Sequence, residues 1–317
     1  YLLIFILALI QGNQDFYYAD QNGYYMGNTL FPGIPYGTSV SWTPDGKHIT
    51  YFQDSILFIM NVATQQVIYY EPVDVDFPSF APNWSQDGRS FVIEEVTEPD
   101  YTERLRLFTV DEAYHVTSSQ LIYDSDAFFP QWSPDGTQLA FVDSFAASSV
   151  YIYDVTSNTL TSHPINVLSS FRVYWLDNDH IAYVWEDGIY RLDLTTDTSE
   201  LLYETGYNPL PARNHWQISP DQTRLIFDGG LYAITNQEIE RIGDVDSVTA
   251  WSPDGEYFLM VVTHIGATCV EHPTRGGSQC YSTVSLDIVL NDRNGNHISD
   301  VAQDVGIVNF AWRPHSM

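Results

Sequence analysis

Carboxylate side chains recur at the ends of short apolar runs in this chain of 317 residues. Some directly follow such a run, and others belong to Asp-x-Asp pairs that stand just before one. A ring of carboxylates attracts cations and basic partners, and two carboxylates at a defined separation can serve as acid and base in glycoside hydrolysis. The alternative is that the acids end strands, cap turns and keep the surface solvated. The candidate ligand-binding residues are Asp54, Glu94, Asp143, Glu186, Asp228, Asp76, Asp126 and Asp246.

A five-residue motif of the form Trp-Ser-Pro-Asp-Gly repeats along the chain and indicates which elements position these acids. Its copies lie about 45 residues apart on average, which is the length of one four-stranded sheet in a repeat protein. Proline presets φ, aspartate bonds nearby amides and glycine tolerates positive φ, so the motif predicts a hairpin turn. The tryptophan before the turn is expected to pack between neighbouring sheets. The copies begin at Trp42, Trp84, Trp132, Trp175, Ile218, Trp251 and Trp312, of which Trp175 and Ile218 start decayed copies and Trp312 starts a truncated one.

The motif and the alternating Ile-Ala-Phe-type strand after it resemble the WD40-like (PD40) β-propeller repeat of TolB-like proteins. The resemblance covers nearly the whole chain and implies four-stranded blades around an axis. In such a fold the Pro-Asp-Gly turns lie on one face. The loops after second strands and before first strands lie on the other, so the acids are expected to form one negative rim.

The chain is therefore predicted to be all-β, a single domain over residues 1–317 with seven four-stranded blades. We expect residues 1–31 and 306–317 to form a composite closing blade, in which residues 4–8 pair with the strand ending at Trp312. Ring closure of this kind removes exposed strand edges. The alternative is six complete blades, with residues 1–10 as the core of a truncated signal peptide.

Two cysteines, Cys269 and Cys280, lie in a predicted loop insertion over residues 263–282. A disulfide between them would stabilise this excursion by about 3 kcal/mol, and it would require an oxidising compartment. We therefore expect an extracytoplasmic protein, whether periplasmic, secreted or on the cell surface. Two free thiols are the alternative, and the absence of a Cys-x2-Cys pair disfavours zinc.

Charge excludes several classes of function. With 12 basic and 41 acidic residues the formal net charge is −29. This balance excludes binding to nucleic acid phosphates or to anionic membrane surfaces. The apolar run over residues 1–10 is too short to span a bilayer. No cofactor is expected, although Ca²⁺ at the acidic rim is an alternative. The segment from Asp292 to Asp300 departs from the calcium-loop spacing, and its Asn-Gly predicts a hairpin instead.

No Gly-x-Ser-x-Gly elbow is present in the sequence, so a serine hydrolase is not indicated. The expected function is a non-catalytic binding platform, a monomer that holds a basic protein or peptide, or a cation, at its acidic rim. Two alternatives stay open. One is an extracytoplasmic hydrolase, acting on glycans through rim carboxylates, and the other is the propeller part of a longer enzyme.

Overall fold

The computed structural model describes the chain in segments. These are residues 16–20, 23–26, 29–31, 34, 40–53, 55–72, 77–78, 82–97, 101–143, 148–165, 172–185, 188–204, 217–219, 221–227, 229–235, 238–245, 247–252, 255–271, 278–305 and 310–312. They fall into two compact units. The central unit comprises residues 37–214, 235–239 and 313–317, and the terminal unit comprises residues 1–36, 215–234 and 240–312.

All regular elements in the described segments are β-strands. In chain order they are β1 (Phe16–Asp20), β2 (Gly23–Met26), β3 (Thr29–Phe31), β4 (Val40–Trp42), β5 (His48–Gln53), β6 (Ile56–Asn61), β7 (Gln66–Pro72), β8 (Phe77–Pro78), β9 (Asn83–Trp84), β10 (Ser90–Thr97), β11 (Thr102–Val110), β12 (Val116–Tyr123), β13 (Phe128–Trp132), β14 (Gln138–Val142), β15 (Ser149–Asp154), β16 (Thr159–Pro164), β17 (Tyr174–Trp175), β18 (His180–Trp185), β19 (Gly188–Asp193), β20 (Thr198–Glu204), β21 (Gln217–Ile218), β22 (Arg224–Phe227), β23 (Gly230–Thr235), β24 (Glu238–Asp244), β25 (Ser247–Trp251), β26 (Tyr257–Glu271), β27 (Ser278–Asp292), β28 (His297–Val305) and β29 (Phe310–Trp312). Among these residues, no helix is long and apolar enough to cross a membrane.

Six sheets are built from strands that follow one another in the chain. They are β4–β7, β8–β12, β13–β16, β17–β20, β21–β24 and β25–β28. In the second, the innermost strand is split, because β8 and β9 both pair with β10. Six blades of consecutive strands agree in number with the six-blade alternative, whereas the expected composite of the two chain ends is a separate sheet, described next.

A separate four-stranded sheet joins the two ends of the chain, in the order β29-β1-β2-β3. This sheet differs from the other six because its strands come from opposite ends of the sequence. Phe16 pairs with Trp312, and Tyr18 pairs with Phe310. Pairing of the two chain ends was predicted, and in the structure β1 is a strand that pairs with β29. Residues 4–8 and the proposed signal-peptide core lie outside the described segments.

The core of the central unit lies between neighbouring sheets. Leu57 and Ile59 of β6 pack in one cluster with Trp84 of the next sheet. The indole Nε1 of Trp84 donates a hydrogen bond of 3.0 Å to Thr50 Oγ1. Trp132 and Trp175 likewise each donate across to the preceding sheet, at 3.0 Å to backbone carbonyls. The predicted packing of the motif tryptophans between sheets is therefore confirmed in this unit.

The serine and aspartate of the motif are turn-forming residues. Ser85 Oγ donates to Asp87 Oδ1 at 2.7 Å, and the Arg89 backbone N–H donates to the same oxygen at 2.9 Å. The turn closes with a hydrogen bond of 2.9 Å from Gly88 N–H to the Ser85 carbonyl. Gly88 has φ of 67°, a conformation in which a Cβ is unfavourable. The same turn chemistry recurs at Thr43, Ser133 and Ser219.

The predicted loop insertion over residues 263–282 is instead an extension of a hairpin, which corrects that prediction. Strands β26 and β27 are each 15 residues long and pair as far as Glu271 and Ser278. The β-branched residues Thr263, Ile265, Thr268 and Val270 favour strand pairing over an irregular loop. Cys269 and Cys280 occupy directly opposite positions in the register.

The Asn-Gly hairpin prediction is confirmed in the terminal unit. Strand β27 ends at Asp292 and β28 begins at His297, with Gly295 between them at φ of 85°. The Gly295 N–H donates to the Asp292 carbonyl at 2.9 Å. Nearby, Arg293 contacts Asp221 and Glu256 at 2.6 Å each, so this ion-pair network holds the turns of the unit together.

Candidate functional site

Three of the eight predicted rim acids lie in the described part of the chain, namely Glu94, Asp126 and Asp143. Glu94 stands near the end of β10, Asp143 directly follows β14, and Asp126 precedes β13. The other five predicted rim acids lie outside the described segments. They are Asp54, Asp76, Glu186, Asp228 and Asp246.

Hydrogen bonds in the central unit bring the loops that carry these acids to one side of the sheets. The Glu103 N–H donates to Asp126 Oδ1 at 3.1 Å, and the Ala127 N–H donates to the Glu103 carbonyl at 2.9 Å. Glu103 follows the connection between second and third strands, whereas Asp126 lies in the connection from a fourth strand to the next first strand. We call this side of the central unit the rim, defined by Glu94, Glu103, Asp124, Asp126 and Asp143.

Arginines compensate part of the negative charge at the rim. Glu95, which neighbours Glu94 on β10, is 1% exposed. It accepts two hydrogen bonds from Arg106, at 2.9 and 3.0 Å, in a bidentate pair. Asp124 lies 2.6 Å from Arg104 Nε. The rim is therefore not a uniform ring of exposed charge, and its uncompensated acids are fewer than the sequence pattern suggests.

Asp143 is held by two tyrosines at the end of its strand. Tyr151 donates a hydrogen bond of 2.9 Å to Asp143 Oδ2, and the Tyr123 hydroxyl lies 3.4 Å from the same oxygen. Burial raises the pKa of Tyr123 well above its ordinary value, with further increases from Tyr151 and from the Asp143 charge. These contacts orient the Asp143 carboxylate and keep both phenols protonated.

Glu94 is the most deeply buried of the described candidate acids. The residue is 7% exposed, and its Oε2 is buried with no hydrogen-bond partner among the described residues. Burial raises the pKa of Glu94 from 4.5 to about 8, since taking a carboxylate out of water disfavours its charged form. The charge of Glu103 adds to this increase, whereas a backbone hydrogen bond from Phe129 and the charge of Arg172 oppose it. Glu94 is accordingly protonated at neutral pH.

Phe129 binds Glu94 from a distorted stretch of the neighbouring sheet. Its φ of 49° is unusual for a bulky residue, and the β13–β14 register shifts between Phe128 and Gln131. Such β-bulges re-aim backbone groups. Two contacts hold the bulge in place: Asn83 Nδ2 donates to the Pro130 carbonyl at 2.7 Å, and the Gln131 carbonyl accepts from Trp175. The surrounding structure thus fixes a strained conformation that aims an N–H at Glu94.

Arg172 stands beside this group, before β17. Its guanidinium carbon lies 4.7 Å from the centroid of the Phe129 ring, a cation–π contact. Its side chain also forms a hydrogen bond with Tyr174. These two contacts position Arg172, and its charge acts on Glu94 at the same time.

Glu103 and Asp126 add negative charge to the same region. Burial raises the pKa of Glu103, and the charge of Asp126 raises it further. Asp126 itself is exposed. The rim near Glu94 therefore combines a buried acid, two interacting carboxylates and one arginine, an arrangement able to bind a cation or to exchange a proton. Within the described segments, no group of three or more His, Cys, Asp or Glu side chains is arranged to hold a metal ion.

Sequence reasoning missed Phe129, Arg172 and Glu103 as members of this site. Arg172 and Glu103 carry no repeated pattern. Arg172 comes from a segment far along the chain, whereas Glu103 lies on β11, the strand that pairs with β10. A weak signal existed for the bulge, because Pro130 interrupts a short strand.

No protein-family model matches the chain, and no curated protein sequence matches it. Solved structures do match. The β-propeller domain of Cps50 (Swd1) from Myceliophteria thermophila is 13% identical with a TM-score of 0.56, over 87% of this chain and 90% of that one. The C-terminal WD40 domain of Sif2 is 16% identical with a TM-score of 0.52, over 80% of each chain. TolB from Acinetobacter baumannii also matches, at 15% identity and a TM-score of 0.49, over 87% of this chain and 66% of its own.

The chain has the WD40-like β-propeller fold. Its blades are four-stranded, as the repeat spacing predicted. At these identities the likeness concerns the fold, and a function has to be argued from the site.

Proposed function

We propose that this propeller is a non-catalytic platform that binds a protein or peptide of basic character at its rim. The observation that carries the proposal is the pair formed by Glu103 and Asp126, in which the Glu103 N–H donates to Asp126 Oδ1 at 3.1 Å. Burial raises the pKa of Glu103, and the negative charge of Asp126 raises it further. Two neighbouring carboxylates repel each other when both are ionised, and a bound cationic ligand stabilises their charged forms. The formal net charge of −29 extends this attraction over a longer range and favours fast association.

Localisation outside the cytoplasm and a monomeric state are parts of the same proposal. The register of Cys269 opposite Cys280 supports the former, since a disulfide at this position requires an oxidising compartment.

The test is equilibrium binding of a lysine- and arginine-containing peptide, followed by fluorescence anisotropy at increasing NaCl concentrations. We expect affinity to fall steadily with salt, because exposed charges are screened. The substitution Asp126→Asn removes a rim charge but keeps an oxygen for the Glu103 N–H, and it should weaken binding roughly two- to fivefold. Glu112→Gln is the matched control. Glu112 is 86% exposed and contacts Arg89 of a Pro-Asp-Gly-type hairpin, away from the rim. The substitution should therefore leave the affinity for the peptide unchanged.

A net-neutral peptide of the same length that binds equally well, with no salt dependence, would contradict the proposal. So would an equal effect of Asp126→Asn and Glu112→Gln.

A second candidate function is favoured by Glu94. A carboxyl group that is protonated near neutral pH has the property required of a general acid in glycoside hydrolysis. Hydrolysis of an oligosaccharide that depends on Glu94, with no binding of basic peptides, would replace the platform by this hydrolase.

A further inference from the structure

Glu94 Oε2 is a buried polar atom that needs a partner. One oxygen of the carboxyl group is accounted for by the Phe129 N–H, whereas Oε2 has no hydrogen-bond partner among the described residues. Leaving a buried polar group unpaired costs about 1–3 kcal/mol. Such groups in native proteins call for an explanation, and a role in binding a ligand is one.

Resting on the proposed function, we infer that Glu94 Oε2 is the anchor point for a primary ammonium group of the bound protein or peptide. The negative charge of Glu103, with Asp126 bound beside it, acts on Glu94 and favours a cationic donor over an anionic acceptor, whereas the charge of Arg172 opposes this. The ammonium thus inserts beside Glu94 while the rest of the ligand lies along the rim.

A single free oxygen selects for an ammonium over a guanidinium. An arginine pairs best with both oxygens of a carboxylate, as Arg106 does with Glu95. At Glu94 the Phe129 N–H already takes one oxygen, so the bidentate geometry is blocked. An ammonium is a compact charge on a slender stem and needs only one acceptor to enter a narrow site.

Insertion of the ammonium has a measurable consequence. It makes the ionised form of Glu94 favourable, so the proton that Glu94 carries near neutral pH leaves as the ligand binds. From a pKa of about 8, we expect release of about 0.9 proton per ligand at a pH of about 7.

The experiment is isothermal titration calorimetry in two buffers that differ in ionisation enthalpy, which counts the protons released. The probes are an N-terminally acetylated lysine-rich peptide, its arginine-rich counterpart, its lysine-acetylated form, and a lysine-free peptide with a free amino terminus. The lysine-rich peptide should bind with proton release, whereas the arginine-rich peptide should bind without it. Proton release with the lysine-free peptide that has a free amino terminus would assign the ammonium to a chain terminus. Proton release with the N-terminally acetylated lysine-rich peptide would assign it to a lysine side chain.

Two variants give the matched comparison. Glu94→Gln keeps the size of a side chain that is already neutral near pH 7, so it should fold. We expect it to weaken binding of the ammonium ligand about tenfold and to abolish proton release. Glu103→Gln removes a rim charge without touching Oε2, and it should weaken binding roughly two- to fivefold while proton release persists.

The outcomes separate this inference from the proposed function. Basic peptides that bind in a salt-dependent way, but release no proton from Glu94, overturn the ammonium anchor and leave the proposed platform intact. This is the result expected if a water molecule satisfies Oε2. Binding of no basic peptide overturns both. Release of the same proton by Ca²⁺ alone, lost in Glu94→Gln, overturns the anchor in favour of a metal site.

Discussion

The carboxyl group of Glu94 accepts a hydrogen bond from the backbone N–H of Phe129, a residue of the neighbouring sheet that holds a φ of 49°. A strained backbone and a buried acid thus meet at one point of the rim. Each is costly alone, at about 1–3 kcal/mol for such a conformation. Both persist because Asn83 and Trp175 fix the bulge from either side. Strain and raised pKa values coincide most often at functional sites.

Wild-type stability should depend on pH through Glu94. Its pKa is raised from 4.5 in the unfolded chain to about 8 in the folded protein, so the folded state holds the proton more tightly. The stabilising effect of the proton is complete below about pH 4.5 and is lost as pH rises to about 8, with a slope of at most about 1.4 kcal/mol per pH unit. Guanidinium denaturation of wild type and Glu94→Gln over this range checks the prediction. The free energy of unfolding of Glu94→Gln relative to wild type should increase with pH, and parallel curves would show that Glu94 ionises normally.

The Thr50 hydroxyl should contribute to the contact between the first two sheets of the central unit. Thr50→Val keeps the shape of the side chain but removes the acceptor of the Trp84 N–H, at 3.0 Å. Because the indole is buried, we expect a loss of about 1–3 kcal/mol in the free energy of unfolding. Ser41→Ala is the control, since it removes only the Ser41–Thr50 contact of 2.8 Å and leaves the indole paired. Chemical denaturation measures both, and equal losses would show that the indole bond is not the cause.

Gln222 occupies the turn position where intact motifs carry glycine. Its φ is 56°, compared with 71° for Gly136 in another copy. Side chains with a Cβ are disfavoured in this conformation by about 1–2 kcal/mol, partly offset by the entropy of glycine. Gln222→Gly should therefore stabilise the protein by about 0.5–1 kcal/mol, measured as an upward shift in Tm. The reverse change, Gly136→Gln, should destabilise the protein, and a gain in stability there would contradict the steric explanation.

Cys269 and Cys280 should form a disulfide in the protein as isolated from an oxidising compartment. Directly opposed residues on antiparallel strands lie at a separation compatible with the Cα distance of a disulfide. Intact-protein mass spectrometry should show alkylation of both thiols only after reduction. Cys269→Ala combined with Cys280→Ala should lower stability by about 3 kcal/mol. Alkylation of the unreduced protein would indicate free thiols and would remove the support for an extracytoplasmic location.

Local patterns of sequence determined the turns, the strand content and the period of this protein. Asp87 and Gly88 act within a few residues of each other, so their roles follow from turn chemistry alone. The packing of Trp84 between sheets also followed, because a regular period places each copy against the previous one. The sequence predicted a sheet that joins the two chain ends, but it did not identify β1 as the strand that pairs with β29. Several short apolar runs near the amino terminus suit the same edge.

Tertiary structure alone decided the character of the rim. The sequence supplied evenly spaced acids, but their ionisation depends on what distant segments bring beside them. Arg106 neutralises Glu95, whereas Glu94, one residue earlier, receives an N–H from Phe129 and lies near Arg172. Electrostatic energies vary with distance and burial, and neither quantity is set by spacing along the chain. Glu95 therefore belongs to a structural ion pair, whereas the adjacent Glu94 belongs to the candidate binding site. Only the fold distinguishes the two.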